Sequence, residues 1–91
     1  DLEISLGALD TLVQQGKVHY CAVSNHSAWQ TVKTIETARR CGFAPITTIQ
    51  PMYSLVKRQV EVEILPMAEH EGLGVVPYNA IGAGLLTGKY L

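Results

Sequence analysis

Three short segments rich in β-forming residues recur along the chain at an almost constant interval. They are VHYCAV at 18–23, ITTIQ at 46–50 and LGVVPY at 73–78, so successive segments start 28 and 27 residues apart. Strands that alternate with helices at such an interval predict a parallel sheet. A (β/α)8 barrel of about 250 residues has a unit of about 31 residues. A doubly wound sheet has a similar rhythm, so the interval alone leaves both folds open.

Helical patterns fill the intervals between these strands. Apolar residues at helical spacing predict a first helix on Leu2, Leu6, Leu9 and Val13. The predicted apolar face of the second helix comprises Ala28, Val32, Ile35 and Ala38. Ser27 and Gln30 form a capping-box pattern at its start, and Gly42 ends it. A third helix is expected over about 60–71, either beginning near Pro66 or kinked there, because an interior proline costs about 3 kcal/mol.

Composition and charge exclude several classes of protein. The chain has 91 residues, 47% hydrophobic and 16% charged, which fits a packed interior and not a disordered tail. A net charge of −1, with scattered basic residues, gives no footprint for nucleic acid or an anionic membrane. No apolar run approaches the ~20 residues needed to span a bilayer.

The two cysteines and three histidines show no metal-binding or catalytic spacing. Cys21 and Cys41 are expected as idle thiols in a reducing compartment, which indicates a cytoplasmic protein. The histidines fall on different predicted elements, so neither a metal site nor a His-based catalytic dyad is expected. His26 alone adjoins a predicted strand end and can edge a pocket.

Polar and aromatic residues stand at the predicted carboxyl ends of all three strands. Ser24 and Asn25 follow the first strand, Gln50 ends the second, and Tyr78 ends the third. Ligands of parallel α/β folds bind at these ends. Each residue alone also fits a structural role, since Ser and Asn commonly form turns, Gln50 suits a solvated strand end and Tyr78 a core aromatic. Together they indicate a site for a ligand with an amide and a flat ring, such as a nicotinamide.

The glycine-rich tail at 79–91 does not match a phosphate-binding fingerprint. Gly82, Gly84 and Gly88 have the spacing G-x-G-x-x-x-G, and Tyr90 stands where a phosphate loop needs Ser or Thr. The pattern predicts a loop that can hold a short helical turn. Its glycines would still let backbone amides approach a phosphate.

Three linked motifs resemble the aldo-keto reductase superfamily, in order and at matching spacing over nearly all of the chain. ALDTLVQQGKVHYCAVSN resembles the helix-strand passage that ends in Ser-Asn, and TIQPMYSL resembles the next strand, which ends in Gln. EILPMAEHEGLGVVPYNAIGAGLLTGKYL resembles the seventh-strand passage. The resemblance implies an α/β fold of three parallel strand-helix units, the fifth to seventh of a partial (β/α)8 TIM barrel. The chain, residues 1–91, would then be a single partial domain.

The resemblance also implies that the complete protein reduces aldehydes or ketones with NADP(H). Ser24, Asn25 and Gln50 would bond to the nicotinamide carboxamide, and Tyr78 would stack on the ring. The positions implied at the pyrophosphate and in the loop over the cofactor are Asn79, where the family usually has Ser, and Ile81, Gly82 and Gly84. The family's catalytic Asp, Tyr, Lys and His lie on earlier strands, so no catalytic residue is assigned and the chain alone is expected to be inactive.

Two other functions stay open at this stage. A nucleotide-sensing regulatory subunit on the same barrel, such as the potassium-channel beta subunit, would share these residues, and the upstream sequence would decide. A partial-barrel assembly protein would differ in size and cofactor binding. Two open sheet edges predict self-association, most simply as a two-fold dimer, or a longer polypeptide. The absence of an initiator Met also indicates a fragment or a processed product.

Overall fold

The computed structural model describes every residue from 1 to 91. Helices and strands alternate along it in the predicted order. The elements are α1 (Leu2–Gln14), β1 (Cys21–Ser24), α2 (Ala28–Cys41), β2 (Ile46–Gln50), a 3-10 turn (Gln59–Glu61), α3 (Ile64–Glu71), β3 (Gly74–Val75) and a second 3-10 turn (Leu85–Thr87).

The three strands form one parallel sheet in the order β1-β2-β3. Ser24 pairs with Gln50, and Ile49 pairs with Val75. Neighbours in space are therefore neighbours in sequence, with a helical segment in each connection, as in a sector of a barrel. The predicted fold class, three parallel strand-helix units of a partial (β/α)8 barrel, is confirmed.

The outer strands are shorter than predicted, whereas β2 matches its predicted bounds. β1 begins at Cys21, and its pairing with β2 has a register shift between Cys21 and Ala22. Pairing beyond β3 continues without regular strand geometry: the Val76 amide donates to the Ile49 carbonyl (2.9 Å), and Met52 and Tyr78 form a parallel bridge. Pro77 lies between these contacts and has no N–H to donate, so the ladder is interrupted there.

Local signals fix the ends of α2 and α3. The Ser27 side chain accepts from the Gln30 amide (3.3 Å) and the Gln30 side chain accepts from the Ser27 amide (2.9 Å), which confirms the capping box. Gly42 and Gly72 end the two helices in the left-handed conformation, each with φ of 70°. Pro66 is the third residue of α3, in the first turn, where its missing N–H has no helical partner to lose.

The core lies between the sheet and the helices α1 and α2. It is a cluster of five buried residues: Leu6, Cys21, Ile35, Ala38 and Ile46. Of the predicted apolar face of α2, only Ile35 and Ala38 are buried, and three threonines are buried beside them: Thr31, Thr34 and Thr37. Each threonine hydroxyl donates to the carbonyl four residues earlier, at 2.8–2.9 Å. This satisfies the hydroxyl inside the helix and lets it be buried.

The helices cover only one face of the sheet. Ala22 and Gly74, which flank Thr48 in the register, are exposed, and Val76 is 52% exposed. The nearly continuous apolar run VHYCAV predicts a strand covered on both faces, and that prediction is wrong for this chain by itself. In a barrel this open face is the interior, which side chains of the other strands fill. No helix of the chain combines the length and the apolar character that crossing a membrane requires.

Candidate functional site

The carboxyl ends of the three strands meet at one edge of the sheet. Ser24 and Gln50 are register partners, and the Met52–Tyr78 bridge lies just beyond them on the same edge. The polar residues predicted from the three strand ends are thus brought to one edge. This is the edge at which parallel α/β folds bind ligands.

Ser24 and Gln50 join the first two strands at this edge. The Ser24 hydroxyl donates to the Gln50 backbone carbonyl at 2.7 Å, which fixes the orientation of the hydroxyl. The hydroxyl oxygen keeps lone pairs with which to accept. The Gln50 side chain is exposed and keeps both its amide donor and its acceptor for a ligand.

Asn25 links the first strand end to the third. The Tyr78 hydroxyl donates to Asn25 Oδ1 at 2.5 Å across 53 positions of sequence. Asn25 adopts the left-handed conformation, with φ of 58°, which asparagine tolerates better than most residues. The turn directs its side chain toward Tyr78, and the Nδ2 hydrogens of Asn25 remain free to donate.

Tyr78 is held by its backbone as well as by its hydroxyl. Its amide donates to the Pro51 carbonyl at 2.9 Å, and its carbonyl accepts from the Tyr53 amide at 3.2 Å. Its side chain is half-buried. Three hydrogen bonds from two loops therefore fix where the ring lies.

An open groove of about 400 Å³ adjoins this edge. It runs between the turn after β1 and the loop after β2, and its polar lining includes Asn25, His26, Lys57, Gln59 and Tyr78. Small-molecule sites commonly have volumes of about 300–1,000 Å³. His26 edges the groove as predicted, and its Nδ1 lies 2.9 Å from the Ser24 carbonyl oxygen, which orients the ring.

The glycine-rich tail forms a compact loop beyond Tyr78. Asn79 is left-handed (φ 59°), and its Oδ1 accepts from the Ala83 amide at 2.7 Å. Gly82 and Gly84 also have positive φ, 63° and 95°, and the Ile81 side chain is exposed. The backbone amides of residues 82–86 all donate to acceptors inside the loop. The Asn79 side chain and these amides are thus engaged within the loop and are not presented to a phosphate.

A polar network next to Tyr78 was missed by the sequence reasoning. The Tyr53 hydroxyl donates to Glu61 Oε2 at 2.7 Å, and the Arg58 guanidinium contacts both Glu61 oxygens, at 2.7 and 2.8 Å. The Arg58 hydrogen bonds, and then the Tyr53 hydroxyl, hold the pKa of Glu61 below its usual range. The hydrogen bond to Glu61 raises the pKa of Tyr53. The three-residue spacing of Arg58 and Glu61 was the one local signal for this network.

Comparison of the sequence with known proteins identifies the family to which the chain is similar. A model described as the Aldo/keto reductase family matches residues 1–91. The chain is 43% identical over 84 residues to the oxidoreductase YrpG of Bacillus subtilis (strain 168), covering 92% of this chain and 26% of that protein. It is 39% identical over 89 residues to aflatoxin B1 aldehyde reductase member 4 of Homo sapiens (98% and 27%). It is 37% identical over 87 residues to the protein tas of Escherichia coli (strain K12) (96% and 25%). The chain spans about a quarter of the length of these curated relatives.

Proposed function

This chain belongs to the aldo/keto reductase family, and we propose that it forms the nicotinamide-binding edge of an NADP(H)-dependent aldehyde or ketone oxidoreductase. Family membership supports the oxidoreductase class. The names of two relatives, an oxidoreductase and an aldehyde reductase, support a carbonyl compound as the small-molecule substrate of the complete enzyme. When bound, the nicotinamide supplies the hydride for that reduction.

The observation that carries the proposal is the hydrogen bond between Tyr78 and Asn25, beside Ser24 and Gln50. A carboxamide presents one carbonyl acceptor and an NH2 donor. Asn25 Nδ2 is free to donate, the Ser24 oxygen is free to accept, and the Gln50 amide can do both. The donors and acceptors left open at this edge therefore match the group that the family resemblance assigns to them.

Tyr78 supplies the flat partner for the nicotinamide ring in this proposal. A half-buried ring held at its amide, its carbonyl and its hydroxyl gives up little further freedom when a ligand stacks on it. Stacking on one face of a planar ligand leaves the other face for the substrate. Tyr78 would thereby determine which face of the ring is presented.

The loop after Tyr78 contributes differently from the strand ends. Asn79, Ile81, Gly82 and Gly84 are proposed to lie over the cofactor, as the resemblance implies. The Asn79 side chain and the loop amides already form hydrogen bonds within the loop, which does not favour direct hydrogen bonds from them to the pyrophosphate. We therefore assign this loop a covering role and leave the phosphate contacts to the rest of the enzyme.

The residues of this chain bind and orient, and none is proposed as the catalytic proton donor. The selection of NADP(H) over NAD(H) is carried by the family and not by a residue of this chain. A cytoplasmic location is also part of the proposal, because Cys21 and Cys41 are free thiols and cytosolic proteins keep their thiols reduced.

The test is a fluorescence titration of the complete enzyme that carries this sequence, with NADPH and with NADH. Tyr78→Ala is expected to weaken cofactor binding by about 1–3 kcal/mol, the range for base stacking on aromatics. Tyr20→Ala is the matched control, because Tyr20 is 77% exposed and precedes β1, away from the carboxyl edge. Unchanged affinity and unchanged hydride stereochemistry in Tyr78→Ala would remove Tyr78 from the site.

A further inference from the structure

Arg58 and Glu61 together hold the side chain of Tyr53, which lies in the loop after β2. Glu61 receives a two-point hydrogen bond from Arg58 through both of its oxygens, a geometry that restricts rotation of the carboxylate. The restrained carboxylate then accepts from the Tyr53 hydroxyl at 2.7 Å. The Tyr53 side chain is thus held at its far end.

The backbone of Tyr53 is bonded directly to Tyr78. The Tyr53 amide donates to the Tyr78 carbonyl at 3.2 Å, and the Tyr78 amide donates to the Pro51 carbonyl at 2.9 Å. Residues 51–53 therefore bond to both the amide and the carbonyl of Tyr78. A shift of Tyr53 is transmitted to Tyr78 through these bonds.

We infer that Tyr53 is a positioning residue, which Glu61 and Arg58 hold in place so that Tyr78 presents its ring to the nicotinamide in a fixed orientation. The inference rests on the proposed function, because it concerns the same ring. None of the three residues lies at a strand end, and none is needed as a contact to the cofactor. Their role is to set the position of a residue that does make the contact.

The surroundings of the loop explain why such a support is needed. Most residues between 52 and 59 are exposed, and the other internal bonds of the segment close a tight turn at residues 54–57. The turn stabilises itself but does not attach the segment to the helical layer. The Tyr53–Glu61 bond makes that attachment, because Glu61 ends the 3-10 turn that leads into α3.

The ion pair itself contributes little to global stability. The Arg58 and Glu61 side chains are 64% and 33% exposed, and solvent-exposed pairs are weak. Loss of the network is therefore expected to change cofactor affinity more clearly than thermal stability. A residue with a merely structural role would show the opposite pattern.

The experiment is a double-mutant cycle on NADPH affinity in the complete enzyme. Tyr53→Phe removes only the hydroxyl, and Glu61→Gln removes the charge while keeping an acceptor. Each is made in the wild-type protein and in the Tyr78→Ala background. The matched control is Glu3→Gln, which breaks the exposed Glu3–Arg40 pair (2.6 Å) between α1 and α2.

The expected result is a Kd raised about threefold to tenfold by Tyr53→Phe, through the loss of one modest hydrogen bond. A similar increase is expected from Glu61→Gln, because a single oxygen then has to serve the three donor groups of Arg58 and Tyr53 that bond to Glu61. The thermal midpoint should stay within the range of the control. In the Tyr78→Ala background the same substitutions should change Kd by less than twofold, because Tyr53 acts through Tyr78.

Three results would overturn the inference. Equal weakening in both backgrounds would mean that Tyr53 acts independently of Tyr78. No weakening by either substitution, with Tyr78→Ala still weakening binding, would refute the positioning role and leave the proposed function intact. No effect of Tyr78→Ala itself would remove both the inference and the proposed function. If Tyr53→Phe does not fold, Glu61→Gln decides alone.

Discussion

Gly7→Ala is expected to stabilise the protein, although glycine is often kept in helices to allow close packing. Gly7 lies in the middle of α1, without positive φ. A Cβ added there would meet Phe43 Cζ at 3.4 Å and Cε2 at 3.8 Å, which is ordinary van der Waals contact. The glycine therefore has neither a conformational nor a steric reason that alanine would violate.

The magnitude follows from two additive effects. Glycine within a helix is less favourable than alanine by about 0.5–1 kcal/mol, mainly through the entropy of the unfolded chain. The added methyl is partly buried against Phe43, and about half of the ~0.8 kcal/mol for a fully buried methylene contributes. The free energy of unfolding should rise by about 1 kcal/mol, which raises Tm by about 4–8 °C in a domain of 60–100 residues, the size of this chain.

Thermal unfolding of Gly7→Ala beside Gly16→Ala tests this reasoning. Gly16 also has space around it, with no atom within 4 Å of an added Cβ, but its φ is 75°. Alanine there should lower stability by about 1 kcal/mol through left-handed strain alone. The two substitutions should shift Tm in opposite directions. A lower Tm for Gly7→Ala would show that the Phe43 ring is fixed too close to α1 for a methyl group.

Four further predictions concern the site and the whole chain. Because the folded pKa of Glu61 is lowered, the small stability from its bonds should be present above the unfolded pKa of about 4.3 and be lost as pH falls through the lowered value; the small difference in Tm between wild type and Glu61→Gln should therefore disappear at low pH. Ala83→Gly should raise Tm modestly, because Ala83 has φ of 55° and left-handed alanine costs about 1 kcal/mol; a lower Tm would contradict it. The purified 91-residue chain should show no carbonyl reduction, because none of its residues is assigned as the catalytic proton donor; turnover abolished by Tyr78→Ala would contradict this. The chain should also self-associate in sedimentation equilibrium, because one sheet face and both edges are open; a cooperative monomer would contradict this.

The parts of the fold that could be predicted are those set by a few neighbouring residues. Ser27 and Gln30 cap α2 within a single turn, and Gly42 closes it by adopting a conformation that other residues avoid. β2 was found at its predicted bounds, with register partners on both sides. The last strand was not found at its predicted bounds. Its length depends on how Pro77 interrupts the pairing with β2 and the residues that follow β2.

The buried face of α2 shows why hydrophobic spacing gave an incomplete core. Thr31, Thr34 and Thr37 were not counted as core residues, because threonine is usually exposed. Their hydroxyls are satisfied by carbonyls of their own helix, so each side chain can be buried. Whether a threonine bonds in this way depends on the packing around it, which a single sequence does not record.

The candidate site also has one part that could be predicted from the sequence and one part that could not. Parallel topology alone predicts that Ser24, Gln50 and Tyr78 approach one edge, since carboxyl ends of parallel strands meet there. The link between Tyr53 and Glu61 depends on the course of an irregular loop, which no periodicity describes. Sequence reasoning therefore found the residues at the strand ends and missed the residues that hold one of them in place.

Asn25 shows that a turn-forming role and a ligand-binding role need not compete. The backbone requires a left-handed residue directly after β1, and asparagine adopts that conformation at low cost. The same side chain accepts from the Tyr78 hydroxyl with Oδ1 and keeps Nδ2 free to donate. Glycine would satisfy the turn without either hydrogen bond, and aspartate would accept from Tyr78 but have no hydrogen to donate. Only an amide on a short side chain meets all three requirements, so the fold and the proposed cofactor contact select the same residue.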